Sequence, residues 1–232
     1  MASKMSRRSF VVGLPLVLAA CQGRGRGTAP LPASLGFGSS AAPASSMTSD
    51  VASEYASAYA PITDGGFSLP GIDYQNFNAR YLRQSVRYFT RYPVGTIVVD
   101  PAKKFLYLVE PRGRAMRYGI GVGRAGFAWS GEAVVGYKRE WPKWFPPAEM
   151  IAREPKLEKY RGGMNGGPSN PIGARGLYLY QNGRDTLYRI HGTSVPSSIG
   201  TNASSGCIRM WQQDIIDLYG RVDIGAKVVV LG

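Results

Sequence analysis

His191 and Cys207 stand near the two ends of one polar run, IHGTSVPSSIGTNASSGCIRM (190–210), and His191 is the sole histidine among 232 residues. A cysteine attacks a carbonyl as its thiolate, and an imidazole that takes the proton lowers the thiol below its free value of roughly 8.5. Any imidazole base in this chain is therefore His191. Such a base needs an acceptor on its far nitrogen to select the tautomer that faces sulfur. The run 190–210 has no Asp or Glu, which leaves a carboxylate from elsewhere or a backbone carbonyl, with that of Gly192 the candidate. Gly206, directly before Cys207, permits a tight turn whose N–H groups converge, so the amides of Gly206 and Cys207 are the candidate oxyanion donors. Arg209 carries a planar fork suited to a substrate carboxylate.

Blander readings compete. A lone Cys is commonly a small buried hydrophobe, and a lone His a satisfied structural group. The Gly-, Ser- and Thr-rich surroundings favour a binding loop instead. The other cysteine, Cys21, lies in an N-terminal segment read below as cleaved or lipidated. One His and no CxxC pair cannot fill a zinc shell, so neither a metal nor a cofactor is expected.

The blocks HGT, SIG and SSGCIRM, followed by DIIDLYGRVDIGAKVVVL, resemble the catalytic core of the L,D-transpeptidase (YkuD/ErfK) family. GGPSNPIGARGLYLY (166–180) and GTIVVDPAKKFLYLVE (95–110) resemble further family blocks, so the likeness covers roughly residues 93–232. It implies that Cys207 is the nucleophile, His191 the base, and the Gly192 carbonyl the group that orients the ring. It also places Ser204, Ser205 and Arg209 as substrate-binding candidates. There is one departure: many members have His before the Gly of the SHGC motif, where this chain has Ser205.

The chain opens MASKMSRRSFVVGLPLVLAACQG, a basic start, a short apolar run and a small-small-Cys ending. The run falls short of the roughly twenty apolar residues that span a bilayer, so residues 1–21 read as an export signal. SRRSFVV resembles a twin-arginine signal and LAAC a lipobox, which implies cleavage before Cys21 and lipidation of its sulfur; ordinary cleavage beyond Ala20 is the alternative. Either leaves Cys207 as a reduced thiol in an oxidising compartment, the periplasm of a Gram-negative bacterium. Residues 22–75, dominated by Gly, Ala, Ser and Pro, read as a flexible linker with a reach of roughly 40 Å. Residues 76–232, with a core at 93–232, form one catalytic domain. The net charge of +13 is scattered and accompanies no nucleic-acid-binding pattern, so nucleic acid is not expected as a partner; an anionic wall or membrane accounts for it.

Short alternating apolar segments predict a mainly β domain, which the family likeness makes a β-sandwich with a few short helices. The strands fall at 96–99, 105–109, 116–122, 133–138, 177–180, 187–190 and 228–231. Helices are expected at 148–154 and at 212–219, the latter ending at Gly220. His191 then ends a strand and Cys207 ends a polar loop, with a hairpin-like return bringing them together. The segment 141–176, with Trp141, Trp144 and GGMNGGP, reads either as a substrate-capping loop or as core packing by the two Trp residues.

The reaction implied is acyl transfer on peptidoglycan. A stem tetrapeptide is the donor, and a diaminopimelate stem, an envelope protein or water is the acceptor. The alternatives are a cysteine carboxypeptidase or amidase, and a non-catalytic wall-binding lipoprotein held to the membrane by its lipid.

Overall fold

The computed structural model describes residues 49–123, 130–202 and 206–232. The export signal with Cys21, most of the linker, and both Ser204 and Ser205 lie outside the described residues. In chain order the elements are α1 (Ser49–Ala58), β1 (Ile62–Asp64), β2 (Phe67–Leu69), β3 (Gln84–Arg87), β4 (Ile97–Asp100), β5 (Phe105–Glu110), β6 (Arg114–Gly119) and β7 (Gly131–Glu140). They continue with α2 (Ala148–Arg153), β8 (Arg175–Gln181), β9 (Arg184–Gly192), β10 (Ile208–Met210), α3 (Gln212–Arg221) and β11 (Lys227–Val230).

Nine strands form one sheet in the order β10-β9-β8-β7-β11-β4-β5-β6-β3, and β1 and β2 form a separate hairpin. β4 (IVVD) and the last three residues of β11 are buried throughout, as expected of strands covered on both faces, and they pair in parallel. The other pairs are antiparallel except β9 with β10. Just beyond β6, Gly121 bridges to Arg209 of β10, so the sheet curls until one edge strand meets the continuation of the strand next to its other edge. The two layers of the expected sandwich are thus halves of one coiled sheet. A single core runs between them, from Leu106 and Tyr118 across Val228 to Leu177, Ile190 and Met210.

Two expectations are corrected. α3 passes through Gly220 to Arg221, because its last turn is tied down. The Arg221 guanidinium donates to Asp217 (2.9 and 3.1 Å), and the Lys138 ammonium donates to the carbonyls of Tyr219 and Val222. The linker also ends much earlier than residue 75. α1, the β1–β2 hairpin and the chain up to Arg83 pack onto the sheet domain, with Tyr59, Ile72 and Leu82 joining Ile199 and Trp211 in a second buried cluster. Sparse large side chains in this arm conceal the fact that nearly all of them are aromatic or branched and land in one place.

Candidate active site

β9 ends on His191 and Gly192, and the connection 193–207 returns the chain so that β10 lies parallel to β9. A hairpin-like return is therefore not what joins them. Parallel neighbours need a crossover of a dozen or more residues, which this connection supplies. The register pairs Ile208 with Ile190, Arg209 with His191 and Met210 with Gly192. Ile190, Ile208 and Met210 enter the core, so strand alternation turns His191 and Arg209 to the other face. Cys207, one residue ahead of β10, comes to the same face opposite Arg189. The two groups share charged neighbours: Arg189 and Arg209 act electrostatically on both His191 and Cys207.

His191 is 5% exposed, and its Nδ1 lies 2.5 Å from the Gly192 carbonyl oxygen. A carbonyl only accepts, so Nδ1 carries the proton and the lone pair is left on Nε2. Burial pulls the imidazole down to about 4, with Arg209 and Arg189 acting in the same direction, while the carbonyls of Gly192 and Ile172 oppose it. Those carbonyls are the acceptors that an imidazolium needs once it takes a proton. Burial pushes the Cys207 thiol up, against the Arg189 amide and the guanidiniums of Arg189 and Arg209. The resting pair is therefore a neutral thiol and a neutral imidazole, and the two arginines favour the thiolate as it forms. Gly206 has φ +138, a conformation that favours glycine.

Two contributors escaped the sequence reading. Gln212 is buried at the start of α3; its Nε2 donates to the Thr193 carbonyl (3.0 Å) and its Oε1 accepts from the Ala174 amide (2.9 Å). Cβ atoms on Gly192 or Gly173 would lie 2.3 or 2.5 Å from that side chain, so both positions must be glycine for the amide to brace the His191 loop. The sequence offers no signal for this, since Gln212 is one of two adjacent glutamines. Arg189 was legible in principle, standing two residues before His191 on the same face. Its guanidinium donates to Asp185 (2.6 and 2.7 Å) and lies 4.2 Å from the Tyr178 ring centroid.

The segment 141–176 is a built lobe. The Asn170 side chain, fully buried, donates to the carbonyls of Pro142, Met164 and Asn165 and accepts from the Ile172 amide. The lobe reaches the catalytic face. Gly176 is paired with His191, and a Cβ there would meet Ile172 at 3.5 Å and Pro142 at 3.6 Å. Trp141 is outside the core; its indole donates to Asp64 (2.8 Å) and stands 4.5 Å from the Phe67 ring.

The YkuD family model, the L,D-transpeptidase catalytic domain, matches residues 95–230. The chain belongs to that family. Two Escherichia coli (strain K12) relatives, Probable L,D-transpeptidase ErfK/SrfK and Probable L,D-transpeptidase YbiS, are each 34% identical over 139 residues. The matches take 58% and 57% of this chain and 43% of each relative, so they span less than half of those proteins. A Probable carnitine operon oxidoreductase caia from Brucella melitensis is 49% identical in its crystal structure, over 68% of this chain and 99% of that one, with a TM-score of 0.47; the name describes that protein. The L,D-transpeptidase domain begins at residue 95, so the arm ahead of it, from α1 to Arg83, is additional to the family core.

Proposed function

We propose that this protein is a cysteine-dependent acyltransferase of peptidoglycan stem peptides. The observation that supports the reading is the parallel β9–β10 register, which runs the strand directly after Cys207 alongside a histidine whose Nδ1 is committed to a carbonyl. Sulfur attacks the carbonyl carbon of the diamino acid at the third position of a stem tetrapeptide, and the thiol proton passes to Nε2 of His191. The oxyanion is held by the amides of Gly206 and Cys207. As the C–N bond breaks, His191 returns the proton to the departing D-alanine, leaving a thioester. An acceptor amine then attacks, giving a proton to His191 while the thiol is restored. A second stem's diaminopimelate gives a 3-3 cross-link, an envelope-protein amine attaches that protein to the wall, and water gives a tripeptide.

Arg209, beside His191, binds a stem carboxylate, with Ser204 and Ser205 contributing from the loop before Cys207. Export to a Gram-negative periplasm, with Cys21 lipidated, places the enzyme beside its substrate. Intact-protein and product mass spectrometry with purified disaccharide-tetrapeptide tests the reading. A thioester on Cys207, release of D-alanine and a cross-linked dimer are expected. Binding to sacculi with neither adduct nor product would replace the enzyme by a wall-binding module.

A further inference from the structure

We propose that the end of the sheet formed by the β3–β4 connection and the β5–β6 turn is a peripheral docking surface for an anionic lipid bilayer. Arg87 of β3 faces Arg114 of β6 directly, an arrangement that costs stability because like charges oppose each other. One residue on, the Tyr88 amide donates to the Gly113 carbonyl at 2.7 Å. The Phe89 ring lies against Gly113, where a Cβ would come within 2.7 Å of Cε1. Connection and turn are therefore one surface. Phe89 is nevertheless 85% exposed and Val94, in the same connection, 61%.

Arg112 sits at the tip of the turn with φ +61, a position where Gly or Asn is the easier residue. Arg87, Arg91, Arg112 and Arg114 are all exposed. Among the described residues none of the four is in an ion pair. No Asp or Glu occurs in 84–99 or 111–117, and the flanking acids are engaged elsewhere, Glu110 with Arg221 (3.7 Å) and Asp100 with Lys103 (3.0 Å).

Glu110 stands opposite Arg114 across the β5–β6 pair but gives its carboxylate to Arg221; four guanidiniums outnumbering that one acid fit a surface of phosphate headgroups, and an exposed phenyl among them fits the headgroup–acyl boundary. A soluble polyanion would use the charges and leave the phenyl in water. Docking here also leaves the active site open. β6 begins at the patch and its continuation meets Arg209 at Gly121, roughly 20 Å of extended strand away. The inference is independent of the acyl-transfer reading.

The test is co-sedimentation of the full chain, with Cys21→Ser so that no lipid is attached, on vesicles of phosphatidylcholine alone or mixed with phosphatidylglycerol. The basic N-terminal residues Lys4, Arg7 and Arg8 also favour anionic vesicles, but they are common to every variant, so the differences between variants report the patch. The anionic vesicles are expected to bind at least about tenfold tighter, with loss at raised salt. The combined Arg87→Gln, Arg91→Gln, Arg112→Gln and Arg114→Gln chain loses most of the preference for anionic vesicles, and Phe89→Ser weakens anionic-vesicle binding several-fold. Arg112→Asn, favoured by the turn itself, is the variant to use if the fourfold change unfolds the chain, and it too weakens binding. Equal binding to both vesicles, or unchanged binding by the Arg variants, overturns the proposal. Unchanged vesicle binding by Phe89→Ser, with full competition by soluble polyphosphate, also overturns it and assigns the surface to an anionic polymer.

Discussion

The sheet core and the arm cluster grip β10 and the residue after it at adjoining positions. Ile208 and Met210 of β10 enter the core between the halves of the sheet, whereas Trp211, the next residue, enters the cluster with Tyr59, Ile72 and Leu82. The Trp211 indole also donates to the Pro196 carbonyl (3.1 Å), and Ile199 joins the same cluster. Both Pro196 and Ile199 belong to the connection between His191 and Cys207. The core therefore sets the register of the strands that carry His191 and follow Cys207, and the arm, which precedes the family domain, secures the loop that returns the chain to Cys207. The same arm reaches the lobe over the active site. Asp64 of β1 accepts two bonds from the buried Arg175 guanidinium, each 2.7 Å, and a third from Trp141.

That division of labour has measurable consequences. Removing the chemistry itself gives the largest effect. His191→Ala should lower thioester formation by about 10²–10⁴-fold, read by the rate of adduct formation on Cys207, and an active His191→Ala protein would end the proposed mechanism. The acid limb of the wild-type rate profile should fall near pH 4, where the buried imidazole titrates, rather than near its ordinary 6.5.

Trp211→Ala and Leu179→Ala separate arm from core. Each should cost about 3–5 kcal/mol in denaturant unfolding. Only Trp211→Ala should also slow acylation of the folded protein, because only it releases the 193–207 connection. Equal acylation by both variants would dissolve the distinction. Asp64→Ala leaves the Arg175 guanidinium, 8% exposed, with only the longer Glu140 contact (3.7 Å) and should cost about 2 kcal/mol. Its expected kinetic signature is a raised KM, through the lobe, at nearly constant kcat.

The smallest effect is a slope. Asp214 of α3, fully buried against Tyr59 of the arm, is raised by burial from 3.8 to about 7, with Asp217 adding to the shift and Arg83 opposing it. The folded protein thus holds a proton that the unfolded chain releases, and stability from this group falls as pH rises from about 4 to about 7. His191, lowered to about 4, acts with the opposite sign: its contribution is full above about 6.5 and is lost as pH falls toward 4. Asp214→Asn should therefore expose a net rise of the thermal midpoint with pH across this window. An unaltered slope would show that burial does not raise this carboxyl.

Much of this was legible before any coordinates. The short apolar run FLYLVE marks a largely buried strand, and alternation in the long β7 segment marks one that is half-buried. The contact of His191 with the Gly192 carbonyl and the turn at Gly206 were legible from residue chemistry and motif together. β1, β2, β3 and β10 were missed, being three or four residues long and held by neighbours rather than by their own pattern. The arm read as linker because composition reports how many large side chains a segment has, and not that Tyr59, Ile72 and Leu82 converge on Trp211.

The sequence by itself determined which atoms are available for catalysis: one imidazole, one thiol in the polar run, and a glycine where the chain must turn at φ +138. It also determined, through apolar periodicity and family motifs, that these would rest on a β-rich domain. Only the tertiary structure decided that β10 runs parallel to β9, which face of that pair carries His191, and that Gln212 and the arm brace the loop between His191 and Cys207. The physical reason is that composition and spacing are local, whereas register, burial and the resulting fall of the imidazole to about 4 depend on which distant segments pack against the site.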